Sequence, residues 1–248
     1  VLLIELRTAG MLLTRVPAGR FVPAPLASTV WAFPVIGAAV GSLGAAMYWL
    51  CVLARLPSSV AAIFALAAIA LITGALHEDG LADTADGFGG GRTRERKLEI
   101  MRDSHIGSFG AIALMLSLAT RGAAIVAIGG PPMVALALIT TAALGRAGIL
   151  LPLLLLKPAR PDGVASGLRS LSTTRAAVGL TIALALAILL LPLGAALRGV
   201  LGATIAALAV SWLTARQIGG YTGDVLGATC VVTECVAIGL IAGASLST

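Results

Sequence analysis

The chain has 248 residues, of which 58% are hydrophobic and 11% charged, with a formal net charge of +6 and a mean hydropathy of +1.03. A water-soluble domain carries about a quarter charged residues, so this composition excludes one. Long continuous apolar runs exclude a β-barrel, whose strands alternate, and the positive charge lacks the interleaved aromatics of a nucleic-acid surface, so no nucleic acid is expected as a partner.

The fold predicted is all-α: one polytopic helical bundle over residues 1–248, with the lipid bilayer as its surroundings. Aromatic residues make up only 4%, and the small residues that replace them allow close helix packing in lipid. Leu2–Leu13, with Glu5, Arg7 and Arg15 along or beside it, reads as an interfacial amphipathic helix rather than a span. Leu2–Ile4 is too short for the apolar core of a cleavable leader.

A span needs about 20 apolar residues. That rule gives seven, at 30–54, 57–76, 107–128, 132–156, 176–197, 199–215 and 225–246. The first two are divided only at Arg55-Leu56-Pro57, and the fifth and sixth only around Arg198. Thirteen basic residues fall on one side of this arrangement, against Arg55 and Arg198 on the other. By the positive-inside rule the N-terminus and three polar loops are then cytoplasmic and the C-terminus is outside. Arg121 and Arg146 remain within spans, where each costs about 3 kcal/mol at mid-bilayer. Both should therefore face protein or water. Cys51, Cys230 and Cys235 lie in apolar runs at spacings that match no zinc motif or disulfide framework, and read as small buried hydrophobes.

Between the second and third spans lies the one long polar segment. Seven of the eleven carboxylates sit between Glu78 and Asp103, flanked by His77 and His105. Asp79, Asp83 and Asp86 recur at i, i+4, i+7, which places three carboxylates along one helical face. Oxygen ligands so spaced suit a hard divalent cation. Gly80 and Gly87 permit close approach of backbone or ligand. Gly89-Gly90-Gly91 then frees the chain before a cationic run with Arg92, Arg94, Arg96 and Lys97 that can neutralise phosphate oxygens, though it is no Walker loop. Arg94 to Asp103 reads as a short polar helix with Glu95, Glu99 and Asp103 at i, i+4, i+8. Glu95, Arg96 and Glu99 are equally explained as ion pairs on a solvated helix, and the two histidines as boundary hydrogen-bonders or as ligands. Farther along, Arg216 and the loop Gly219-Gly220-Tyr221-Thr222-Gly223-Asp224 return to the same face, and Asp224 is either a site carboxylate or a helix cap.

Carboxylates, cations and glycines on a cytoplasmic face suit metal-assisted phosphoryl-group transfer by direct displacement. A CDP-alcohol phosphotransferase and a cation transporter are the other readings the residues allow. The phosphotransferase signature fails in register after Asp83-x-x-Asp86-Gly87, and transport sites sit nearer mid-bilayer.

The run from His77 to Gly87, continued from Glu95 to Gly107, closely resembles the cobalamin synthase family. Leu13-Thr14-Arg15-Val16-Pro17, Phe33-Pro34-Val35-Ile36-Gly37, Ala159-Arg160-Pro161-Asp162-Gly163 and Arg216 to Ala228 are further matches, so the resemblance covers nearly the whole length. It implies an adenosylcobinamide-GDP ribazoletransferase of the bacterial cytoplasmic membrane, acting on adenosylcobinamide-GDP and α-ribazole or its 5'-phosphate, releasing GMP, with Mg²⁺ as cofactor. Val231 departs from a polar residue expected there, whereas Glu234 fits. The site expected on these grounds has Asp79, Asp83, Asp86 and Asp103 at the metal, with Asp79, Asp83 and Asp224 catalytic. Arg92, Arg94, Lys97, Arg102, Arg146 and Arg216 would bind substrate. Association into a homo-oligomer is left open.

Overall fold

The computed structural model describes residues 1–17, 19–161, 167–169 and 171–245. Asp162 and Gly163 of the fourth quoted motif lie outside the described residues, as do the last three positions of the chain. Helix α1 (Leu2–Leu13) is followed by two 3₁₀ turns, Leu26–Ser28 and Val30–Ala32, and then by α2 (Phe33–Leu53), α3 (Ser58–Thr73) and α4 (Leu76–Gly90). After the short α5 (Arg94–Ile100) come α6 (Ser108–Ile128), α7 (Pro131–Gly148), α8 (Leu150–Leu155), α9 (Thr173–Leu190), α10 (Leu193–Ile218) and α11 (Gly223–Ser245). Among the described residues there is no strand, only an isolated bridge between Pro158 and Tyr221.

Six segments are long and apolar enough to cross a membrane; α3 passes only as a pair with α4, bent by 91°. The protein is thus a multi-pass helical membrane protein. α4 carries four carboxylates within its 15 residues, a load that hydrocarbon does not accept, and lies outside the spanning segments. Counting α3, the chain traverses the bundle seven times. One end gathers α1, the α3–α4 corner, the segment after α8, the start of α9 and the α10–α11 loop, joined by contacts such as Arg15 N–H to Ile72 O and Arg175 to Glu5.

Local chemistry explains where the passes break. The fifth and sixth spans separate at Leu191-Pro192, not around Arg198, which lies inside α10. Pro192 cannot donate to the ladder and pushes the residue before it to extended backbone, as found for Leu191 (φ −112°, ψ 152°). A proline also accounts for the interruption between α7 and α8, because Pro152 cannot donate to the carbonyl of Gly148. The α3–α4 corner uses two left-handed residues, Gly74 (φ 67°) and Ala75 (φ 56°). Glycine suits the first of them, since a Cβ would fall 2.0 Å from Nε of Arg15 and displace the side chain that lies across the corner.

Helices approach closely through small residues, as lipid-embedded bundles require. At Gly37 and Gly41 of α2 a Cβ would stand 2.3 Å from Ala142 O and 2.4 Å from Leu138 O of α7. The largest apolar core is built around α2, α3, α6 and α7 with residues such as Tyr48, Ile69, Ile125 and Leu138. α1 is docked rather than free: Glu5 is 3% exposed, accepts a 2.8 Å hydrogen bond from Trp31 Nε1, and pairs with Arg175.

Candidate active site

The site forms where α4 crosses the start of α11. Gly80 faces the first turn of α11 so closely that a Cβ would lie 2.6 Å from Asp224 O, and a Cβ on Gly227 would lie 3.2 Å from His77 O. Removing both side chains is what brings Asp79 and Asp83 of α4 alongside Asp224. Burial first, then the charges of Asp79, Asp224 and Asp86, push the Asp83 carboxyl up to about 7, with Arg160 pulling the other way. Arg160 Nη2 stands 3.5 Å from Asp224 Oδ2, and the Thr222 hydroxyl donates to the same oxygen at 3.1 Å. Thr222 also accepts from Val225 N–H at 3.3 Å, so Thr222 caps α11 and Asp224 remains turned toward Arg160.

Asp79 and Asp224, but not Asp83, border a cavity of about 510 Å³. Asp79, Asp224, Arg160, Thr222 and His77 line its polar part, and residues including Leu13, Phe33, Ile149 and Leu226 line the rest. Its walls come from α1, α2, α4, α7–α8, the segment after α8 and α11, elements distant in the chain.

Asp86 is engaged differently from the other two aspartates of its face. Its carboxylate accepts Gly107 N–H at 2.7 Å and Gly110 N–H at 2.8 Å, securing the start of α6. α4 runs on as helix through Gly90, so the glycines expected to free the chain pack instead: Gly89 against the Phe109 ring, Gly91 against Lys97. α5 starts on a Thr93 cap that accepts Arg96 N–H and ends at Ile100 rather than reaching Asp103. The reason is local. Asp103 accepts His105 N–H at 3.0 Å, a turn that competes with helix, and His105 Nδ1 lies 2.6 Å from the same oxygen. Those bonds hold the Asp103 carboxyl below its usual range. The structure does not bring Asp103 beside Asp83, and among the described residues no three His, Cys, Asp or Glu side chains stand close enough together to chelate a metal.

The basic residues divide by task. Arg94 donates to Ile218 O at 2.8 Å and Ala159 O at 2.7 Å, and Lys97 bonds Gln217, so both fasten α5 to the surrounding loops. Arg92 is exposed. Arg102 lines a second hollow of about 320 Å³ with Arg160 and Pro161. Arg216 stacks on Trp212, 4.6 Å from the ring centre, and does not line the cavity.

Arg146 is 2% exposed and pairs with Glu234, which also receives Arg121 at 3.1 Å. Arg121 in turn reaches Glu78 at 3.1 Å. The two arginines expected to face protein do so, in a buried quartet whose formal charges cancel. Arg160 was absent from the residues expected in the site, although its place beside Pro161 in a quoted motif was the available signal. Leu13, on the wall that α1 contributes, likewise stood in a quoted motif, whereas Met11 and Leu12 carried no such signal.

Comparison with known proteins gives this geometry a family. The model of the family described as cobalamin-5-phosphate synthase matches residues 5–242. An adenosylcobinamide-GDP ribazoletransferase of Bradyrhizobium diazoefficiens is 47% identical over 227 residues, covering 90% of this chain and 87% of that protein. The proteins of the same name from Azorhizobium caulinodans and Mesorhizobium japonicum are 46% and 41% identical, over 88% and 90% of this chain and 87% and 85% of their own lengths. No solved structure matches the chain.

Proposed function

The chain belongs to the cobalamin-5-phosphate synthase family, and on that footing we propose that it is an adenosylcobinamide-GDP ribazoletransferase. The observation that carries the assignment to this site is the approach of α4 to the start of α11 at Gly80, which sets Asp79 and Asp224 at the polar part of one cavity with Asp83 behind them. A hydroxyl oxygen of ribazole attacks the phosphorus that bears cobinamide. The new O–P bond forms as the bond to GMP breaks, and GMP leaves with the bridging oxygen. The hydroxyl proton passes to a carboxylate, and Asp224, oriented by Thr222 and Arg160, is suited to take it.

Arg160 and Arg102, which share the second hollow, supply positive charge for the diphosphate. Arg94 and Lys97 support the site by holding α5 in place. Asp79, Asp83 and Asp224 are hard oxygen donors; burial first, and then the neighbouring carboxylates, raise the proton affinity of Asp83. As they stand the three are not close enough together to chelate an ion, so a pair of them with water and substrate oxygens would hold Mg²⁺, which would neutralise charge that develops on the phosphoryl group. The concentration of basic residues at this end of the bundle supports a cytoplasmic orientation in the bacterial inner membrane.

Membranes containing the protein should release GMP from adenosylcobinamide-GDP only with α-ribazole and Mg²⁺ both present. Turnover of a CDP-activated lipid instead would replace the assignment.

A further inference from the structure

The segment after α8 and the α10–α11 loop are joined by a pair of backbone bonds, Ala159 N–H to Tyr221 O at 2.8 Å and Tyr221 N–H to Lys157 O at 2.9 Å. They run so close that a Cβ on Gly220 would lie 2.3 Å from Lys157 O. From this junction Arg160 reaches Asp224 Oδ2 at 3.5 Å, and Thr222 donates to the same oxygen at 3.1 Å. A third element, α5, braces it. Arg94 Nε donates to Ile218 O at 2.8 Å and Arg94 Nη2 to Ala159 O at 2.7 Å.

Those two donors lie along one edge of a planar guanidinium, which suits two acceptors held at a fixed separation. Ile218 ends α10, where the last carbonyls have no partner within the helix. The Ala159 carbonyl belongs to the same peptide plane as the nitrogen of Arg160. One side chain thus ties the end of α10 to the peptide from which Arg160 projects. With its N–H on Tyr221 and its carbonyl on Arg94, Ala159 is held on both sides. The remaining nitrogen of Arg94, Nη1, stands 3.9 Å from Glu95 Oε1, so all three nitrogens face groups of the protein.

We propose that Arg94 is a positioning residue for the transfer, holding Arg160 against Asp224 by way of the Ala159 carbonyl, and does not itself bind substrate. The role rests on the ribazoletransferase reading, in which Arg160 supplies charge for the diphosphate and orients Asp224. It separates Arg94 from Arg102, which lines the second hollow beside Arg160.

The test is a double-mutant cycle of Arg94→Ala and Arg160→Ala in the purified protein in detergent, read as kcat/KM for adenosylcobinamide-GDP at saturating α-ribazole and Mg²⁺. The Arg94 side chain is 48% exposed, so truncating it opens no cavity in the core, and thermal unfolding verifies that each variant is folded. Arg94→Ala alone should lower kcat/KM by about tenfold to a hundredfold, the scale of a misplaced orienting group. Arg160→Ala should cost at least as much. In the Arg160→Ala background the further loss from Arg94→Ala should stay within about twofold, because the group it positions is gone. If Arg94→Ala does not fold, Arg94→Lys replaces it with the same expected pattern, since a point donor cannot span both carbonyls. Losses that multiply in the double variant show Arg94 acting independently of Arg160 and overturn the role. A folded Arg94→Ala enzyme with wild-type kcat/KM overturns it too. In both cases GMP release by wild type upholds the enzyme. A wild-type protein that releases no GMP overturns the ribazoletransferase reading and this role with it.

Discussion

Two groups of charges lie near one another on α4, and they are built on opposite plans. Glu78 points into the bundle and joins Arg121, Glu234 and Arg146, two acids against two bases in a region with little water. Asp79, the next residue, and Asp83, one turn on, meet Asp224 with Arg160 as the cation nearest to it. The first group is compensated and holds helices α4, α6, α7 and α11 together. The second carries surplus negative charge beside a cavity. Charge that is balanced builds structure; charge left unbalanced at an open space is held ready for a ligand.

Glu234→Gln should break the comparison most severely. It removes the carboxylate shared by Arg121 and Arg146 and leaves buried positive charge, at a cost of about 3–5 kcal/mol. A large fall in the thermal unfolding midpoint in detergent would register it. Full stability with lost turnover would move the quartet from scaffold to site.

Asp224→Asn and Asp79→Asn should act on the other side of the comparison. Each is expected to lower turnover at least a hundredfold, on the order of the 3 kcal/mol lost with a key electrostatic group, while the unfolding midpoint stays near wild type. An active Asp224→Asn enzyme with unchanged Mg²⁺ dependence would remove Asp224 from the site.

The smallest effect separates the two plans by pH. Asp83 has a folded value of about 7 against an ordinary 3.8. A carboxyl raised in this way binds its proton more tightly when folded. Its destabilising effect is absent below the ordinary value, grows as pH rises between the two, and is complete above the folded value. Asp83→Asn should therefore stabilise the metal-free protein more at pH 8 than at pH 5. Added Mg²⁺ should narrow the difference by stabilising wild type alone. Equal gains at both pH values would show that Asp83 bears no unfavourable charge.

The spans were legible because apolar runs of bilayer length are a one-dimensional signal, and most boundaries fall within a few residues of the helices found. The error at Arg198 came from treating a charge as a boundary when Pro192 held the stronger local constraint. The carboxylate face of α4 was legible from its spacing, but the spacing could not distinguish Asp86 from its neighbours. What sets Asp86 apart is a pair of backbone N–H groups 21 and 24 residues away. Arg121 and Arg146 announced a need for partners, yet Glu234 could be matched to them only in three dimensions. Arg160 and the α1 wall depend on contacts between distant loops, to which neither periodicity nor local propensity is sensitive.

The docking of α1 bears on how the protein is made. Glu5 is translated long before its partner Arg175, which lies 170 positions later. Arg15 waits through more than two helices for the Gly74 corner. During synthesis α1 can settle early against Trp31, but its docking is completed only when Arg175 at the start of α9 arrives. Because Met11, Leu12 and Leu13 form one wall of the cavity and Leu226 and Gly227 another, the pocket closes only when segments more than 200 residues apart have both been made, and a half-made protein has no enclosed site in which to bind its substrate.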